Sequence, residues 1–546
     1  MVDVQAKPFH LSDAQAQWVA RTLAGMSTEE KVGQLFLVMG GDYAPDVLAD
    51  MVRRGRVGGV LFRPEPAETI RSRYAPLDRA ARIPLLKAAN LEEGGAGAIT
   101  DGTLFGWPML VAASPDEEDA TRFGWVCAAE GRSVGVNWTF SPVCDIDMND
   151  LNPITNVRTC GSDPERVMRR TELFMRAVQE SGMAACAKHF PGDGVDDRDQ
   201  HLHPTYNTLS AQRWRETYGR VYARLIDGGL MSVMAGHIVQ PALEMEKNPS
   251  LTFADCLPGS LSRELLTDVL RGELGFNGVI ATDATIMGGY CMAMERRRAI
   301  PTSIAAGCDM LVFTTGFDED FAYLMEGVRS GLVSAQRLDD AVTRVLALKA
   351  RLCDAPPCAP VTEAAAWHRA CAGRAVTLVK QTQPDALPVT PERYPQVRLI
   401  ALGRRQTPDG DIVDIAADWL ERAGFAVERY DPYADELHGT SQLPRGRLTL
   451  YLANYEQASN QTTVRIRWCE KHALDTPRFV NEEMCVMVSL ANPYLLRDAP
   501  RVRTYVNAYT ATRATIEAAL ERLCGMAPFT GESPVDAFCG RMDTRL

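Results

Sequence analysis

The chain has 546 residues, more than a single hydrophobic core ordinarily serves, so two domains with one of them large are expected. With 46% hydrophobic and 23% charged residues the balance is that of a soluble globular protein, and the formal net charge of −12 argues against a general nucleic-acid or anionic-membrane binder. The start, MVDVQAKPFHLSDAQ, has no basic segment followed by an apolar run, and no stretch of about 18 uncharged apolar residues occurs, so neither a leader nor a membrane span is expected.

In chain order, Ser27-Thr28-Glu29-Glu30 has the form of a capping box and predicts a helix start. Eight short apolar runs follow, at 33–40, 57–62, 84–91, 136–146, 184–190, 231–238, 278–284 and 309–315. Amphipathic stretches such as AQRWRETYGRVYARLIDGG and SRELLTDVLRGELGF lie between most of them. Near-continuous apolar strands alternating with helices predict a parallel sheet covered on both faces. Eight of them in succession predict a (β/α)8 barrel over residues 1–352. The proline-broken segment LCDAPPCAPVTEAAA then predicts a linker at 353–372. Beyond it, strand-like runs at 375–380, 397–403, 447–454, 483–493 and 504–509 predict a smaller α/β sandwich domain over 373–546. The turn GRRQTPDG after VRLIALG lacks G-x-G-x-x-G, so no dinucleotide site is expected there. The fourteen cysteines are scattered with no C-x-x-C pair, which predicts reduced, mostly buried thiols and a cytoplasmic protein.

Polar residues fall at the carboxyl ends of the barrel runs: Asn90, Asp145, Asp147, Lys188, His189, His237 and Asp283. That rim carries the active site in such barrels. The densest stretch is KHFPGDGVDDRDQH, from Lys188 to His201, and three of the eight histidines lie between His189 and His203. The pattern has three readings. It is a solvated charged loop, a metal site built on His201, His203, Asp199 and His189, or an acid–base dyad of Asp199 and His201. Asp283, which ends a predominantly apolar strand, favours the third: a carboxylate there is costly unless it is used. One group attacking an anomeric carbon while another protonates the leaving oxygen is the logic of retaining glycoside hydrolysis.

The pieces K-H-F-P-G-D-G, Asp199-Gln200-His201, Thr282-Asp283, MSTEEKVGQLF, NWTFSPVCDID, NVRTCGSDP and SVMAGHI together resemble family 3 glycoside hydrolases of the β-N-acetylhexosaminidase branch. In the second domain ANPYLL and FTGESPV are also similar to that family. The resemblance implies Asp283 as nucleophile and His201 as acid/base, oriented by Asp199. It implies Lys188, His189 and Arg158 as sugar ligands, with His237 a further candidate. It implies no metal and no cofactor, and a carbohydrate substrate with a terminal β-linked N-acetylhexosamine. Two positions depart from the family pattern. Position 193 is Asp where relatives commonly have His, and ANLEEGG replaces a D-Q-E-G-G-like segment, leaving Asn90 or Glu92 to substitute for its carboxylate. The leading expectation is a retaining exo-β-N-acetylglucosaminidase. Alternatives are a phosphorylase using the same residues with phosphate in place of water, and a β-glucosidase whose acid is Glu482 or Glu483. A non-catalytic sugar-binding module is the contrasting class.

Overall fold

The computed structural model describes residues 2–384, 386–434, 447–470 and 473–546. By internal contacts the chain forms two compact units. The first comprises Met1–Phe105, Ala120–Asn152 and Pro164–Ala364; the second comprises Gly106–Asp119, Pro153–Asp163 and Ala365–Leu546. Two short segments from within the barrel sequence, 106–119 and 153–163, thus pack with the second unit, which the sequence reading did not anticipate. The linker expected at 353–372 also holds the start of a helix, Ala364–Ala375.

The first unit is a parallel barrel of eight strands: β1 (Phe36–Met39), β2 (Gly59–Leu61), β3 (Leu86–Ala89), β4 (Trp138–Thr139), β5 (Cys186–Phe190), β6 (Ser232–Ala235), β7 (Val279–Ala284) and β8 (Met310–Val312). The sheet runs in the order β4-β3-β2-β1-β8-β7-β6-β5. Parallel bridges Trp138 to Ala184 and Val143 to Lys188 close the ring between β4 and β5. All eight strands lie inside the eight apolar runs. Burial is nearly complete along them, with every residue of β5 and β6 buried, which is why those runs do not alternate. Helices on the outer face turn one apolar stripe inward: Val167, Phe174, Met175 and Val178 on Pro164–Glu180 are buried. The expected capping box is present, since Ser27 Oγ accepts from Glu30 N and the Glu30 side chain accepts from Ser27 N. Below the barrel, Asp309 receives Arg271 and Arg337 at 2.6 and 2.7 Å and accepts the Ile280 N–H at 2.9 Å, pinning the start of β8 to β7.

The second unit is a six-stranded mixed sheet: β9 (Thr377–Gln381), β10 (Gln396–Gly403), β11 (Ala426–Tyr430), β12 (Arg447–Asn454), β13 (Met484–Ser489) and β14 (Thr504–Asn507). Its order is β9-β14-β13-β12-β10-β11, all parallel except β9. Hydrophobic clusters lie on both faces. One joins Val397, Leu399, Leu450 and Val486 to the helices Ile412–Arg422 and Arg513–Leu523; the other holds Ile400, Leu402, Tyr451 and Met487. The sequence reading missed β11. It is an edge strand with no fully buried residue, so it carries no apolar run.

Eight of the fourteen cysteines are buried. Among the described residues no helix is long and apolar enough to cross a membrane.

Candidate active site

The carboxyl ends of β3, β4, β5 and β7 bring the expected residues together. Asp283 is the fifth residue of β7 and is buried. Its Oδ1 accepts the Ala284 N–H at 2.7 Å, while Oδ2 is buried and has no hydrogen-bond partner. His189 Nε2 stands 3.8 Å from that bare oxygen. Burial pushes the Asp283 carboxyl up, but the imidazoles of His189, His237 and His201 outweigh burial and hold it below the ordinary carboxylate range.

His189 is itself gripped from behind. Asp145, in the segment after β4, accepts the His189 backbone N–H at 3.1 Å on Oδ1 and faces ring Nδ1 at 2.7 Å with Oδ2. A carboxylate only accepts there, so the ring proton sits on Nδ1 and Nε2 is left for the site. Asp145 was legible as a rim residue, but its pairing with His189, 44 positions away, was not. Beside it Lys188 reaches Glu92 Oε1 at 2.5 Å and Asn90 Oδ1 at 3.4 Å. The ANLEEGG segment therefore places a carboxylate and an amide on the Lys188 ammonium.

The stretch after β5 turns at Gly192 and Gly194, with φ of 123° and 104°. A Cβ at Gly194 would lie 2.0 Å from the Ile146 carbonyl oxygen, so the turn passes too close to the barrel for any side chain. It delivers Asp199 and His201 as a dyad, with Asp199 Oδ1 at 2.6 Å from His201 Nδ1 and accepting the His201 N–H at 2.9 Å. The Asp199 side chain is fully buried, whereas that of His201 is 21% exposed. Two backbone bonds then fasten this loop to the segment following β7: Gly288 N–H donates to His201 O at 2.8 Å, and Gly289 N–H to Gln200 O at 3.1 Å.

His237 is fully buried with both nitrogens engaged: Nε2 with Ala284 O at 3.0 Å and Nδ1 with Ser260 Oγ at 2.9 Å. Burial is the largest influence on its pKa and lowers it. It thus steadies the backbone beside Asp283 and has no free nitrogen to offer a substrate. Arg158 lies in the segment Pro153–Asp163 of the second unit, where its Nη1 donates to Ile154 O at 3.2 Å. Glu483 begins the approach to β13 near Arg398, Arg447 and Thr449, and burial pushes its carboxyl up to about 7. His203 is exposed, and among the described residues no group of three His, Cys, Asp or Glu is arranged to hold a metal ion.

A parallel barrel whose rim gathers a bare carboxylate and two His–Asp pairs has the layout of a barrel enzyme. The model of the glycosyl hydrolase family 3 N-terminal domain matches residues 27–348, and the chain belongs to glycoside hydrolase family 3. It is 42% identical, over the full length of both chains, to a β-N-acetylglucosaminidase/β-glucosidase from Cellulomonas fimi. Among solved structures it is similar to a β-glucoside phosphorylase, with a TM-score of 0.93, 42% identity and 99% of each chain covered. It is also similar to a family 3 β-N-acetylglucosaminidase from Paenibacillus sp. str. FPU-7, with a TM-score of 0.78, 25% identity and coverage of 94% of this chain and 99% of that one.

Proposed function

We propose that the chain removes terminal β-linked N-acetylglucosamine or glucose from short saccharides or glycosides, with retention, through a covalent glycosyl-enzyme. The observation that carries this is Asp283 Oδ2, a buried oxygen with no hydrogen-bond donor on it. An ionised carboxylate kept bare in a low-dielectric site is a ready nucleophile. In the first step Asp283 Oδ2 bonds to the anomeric carbon as the glycosidic C–O bond breaks, and His201 gives its ring proton to the leaving oxygen. In the second, neutral His201 takes a proton from water, the water oxygen bonds to the anomeric carbon, and Asp283 is released. Asp199 holds the ring and stabilises its charged form, which is present before the first step and re-formed by the second. Lys188, with Glu92 and Asn90 against it, and His189 grip the sugar hydroxyls. Scattered cysteines with no C-x-x-C pair, eight of them buried, suit a reducing cytoplasm.

The test is Asp283→Ala, assayed on 4-nitrophenyl β-glycosides of N-acetylglucosamine and glucose. Turnover should fall by about 10⁴-fold or more while the fold persists, and azide should yield a glycosyl azide of inverted configuration. A near-normal rate would sink the assignment.

A second reading is phosphorolysis, with phosphate taking the place of water. An imidazole that has given up its proton is uncharged, so a phosphate dianion approaching the glycosyl-enzyme meets no repulsion from the base. The likeness to the β-glucoside phosphorylase supports this reading. Comparing yields of free sugar and sugar 1-phosphate in phosphate buffer separates the two.

A further inference from the structure

The loop that carries the Asp199–His201 dyad closes on itself. Asp196 Oδ2 accepts the Tyr206 backbone N–H at 2.8 Å, so residues 196 and 206 form its base and Asp199, Gln200 and His201 lie beyond it. The same carboxylate grips Arg198, with Oδ1 taking Nε at 2.8 Å and Oδ2 taking Nη2 at 2.7 Å. The Arg198 guanidinium lies in turn over the Tyr206 ring, 5.6 Å from its centroid. Phe253 stacks on that ring too, with 5.4 Å between centroids and 12° between planes. It comes from the segment after β6, which pairs Ile238 and Val239 with Thr205 and Tyr206 and then bridges Val239 to Pro258. Asp255 Oδ2 accepts from Thr252 N at 2.9 Å and from Thr252 Oγ1 at 2.6 Å, which fixes the turn that presents Phe253. Phe253 is 57% exposed, and it is the one exposed phenylalanine among the described residues. Three planar groups are thus locked against one another at the base of the dyad loop, with the Phe253 ring open to solvent.

We infer that Phe253, Tyr206 and Arg198 form a saccharide platform on the leaving-group side of the site, one that favours longer β-linked oligosaccharides over disaccharides. This rests on the reading of His201 as the acid/base. A saccharide cut at its end has its terminal ring beside Asp283, and all that it still carries lies past the leaving oxygen, on the side of the proton donor. Tyr206 is five residues from His201, so their Cα atoms are within about 18 Å of each other, a span that a short oligosaccharide covers. The chemistry of the platform fits a sugar. A β-linked glucose or N-acetylglucosamine ring carries its substituents equatorially, so its two faces are C–H surfaces that pack on the electron-rich face of an aromatic ring. Its hydroxyls project from the ring edge, where Arg198 Nη1, which Asp196 leaves unused, is placed to donate. Because Asp196 and the stacking already hold these groups, little side-chain freedom is lost when a sugar binds.

The experiment compares kcat/KM for a β-linked tetrasaccharide and the matching disaccharide, in the wild type and in F253A. The wild type should favour the tetrasaccharide by about tenfold, and F253A should bring the ratio to about one, the loss of a single stacking contact. F253W, which restores an aromatic face, should restore the ratio. A wild-type ratio near one, or a ratio that F253A leaves unchanged, overturns the proposal and leaves the glycosidase reading intact. Absence of turnover by the wild type on saccharides and aryl glycosides alike overturns both. Titration of the tetrasaccharide into Asp283→Ala, with and without F253A, gives a second measurement that needs no turnover. Binding about tenfold weaker with F253A supports the platform, and equal affinity overturns it.

Discussion

The site contains two His–Asp pairs with almost the same internal geometry and different surroundings. Asp145 holds His189 at 2.7 Å and Asp199 holds His201 at 2.6 Å, in each case through Nδ1 and with the backbone N–H of the same histidine on the same carboxylate. The His189 side chain is 5% exposed and its remaining nitrogen faces Asp283; that of His201 is 21% exposed. The hydrogen bond alone therefore does not assign a job. What differs is the surroundings: His189 Nε2 faces a carboxylate, whereas the His201 ring is partly exposed. A sealed imidazole suits a ligand and a tuner of charge, and a half-open one suits proton exchange.

The comparison breaks most sharply at His201. His201→Ala should lower turnover of a natural disaccharide by about 10²–10⁴-fold. A 2,4-dinitrophenyl glycoside needs little protonation to leave, so its first step should survive and the glycosyl-enzyme should accumulate as a burst. Equal losses on both substrates, or activity that tracks added zinc, would mean that His201 is not the acid/base. Next comes Asp145→Asn, which turns an amide N–H towards Nδ1 and upsets the orientation of His189. The expected loss is about 10–100-fold, and it should be the same for good and poor leaving groups, since no proton transfer is at stake. A leaving-group dependence like that of His201→Ala would erase the distinction between the pairs.

Asp199→Asn should cost about tenfold and slow both steps, because the imidazolium that donates in the first and re-forms in the second loses its counter-charge. The smallest effect lies in the acid limb. A carboxyl held low stays ionised as pH falls, so Asp283 itself should not limit activity until the pH drops below its ordinary value of about 3.9. His189 is the strongest of the three imidazoles holding it there. His189→Gln should therefore move the acid limb to higher pH, and by more than His201→Gln does; the reverse order would show that the exposed pair tunes the nucleophile.

These two pairs also mark what the sequence could reveal. Asp199 and His201 stand two positions apart, so a local pattern carries the dyad, and the glycines at 192 and 194 announce the turn that delivers it. Asp145 and His189 are joined only by barrel closure between β4 and β5, a contact that no local pattern encodes. The barrel strands were legible because each is buried on both sides, whereas β11 lies at an edge with polar and exposed residues and left no such trace. Arg158 reads as part of the barrel from its place in the chain, yet its segment packs with the second unit. His237 looks like a rim ligand because it follows β6, and only the bonds to Ser260 and Ala284 reveal it as a prop.

The two bonds from Gly288 and Gly289 to the carbonyls of His201 and Gln200 join main chain to main chain. The spacing between the loop that carries His201 and the segment that follows Asp283 is consequently a property of the backbone, indifferent to which side chains decorate either one. A Cβ at Gly288 would lie 2.2 Å from the Leu202 carbonyl oxygen, so the splice tolerates no substitution at its centre. Anyone moving this acid/base into another barrel would have to carry 188–203 and 283–292 together, as a single cassette. In the intact protein, the exchange rates of those two glycine amides with solvent deuterium would time each parting of the two segments.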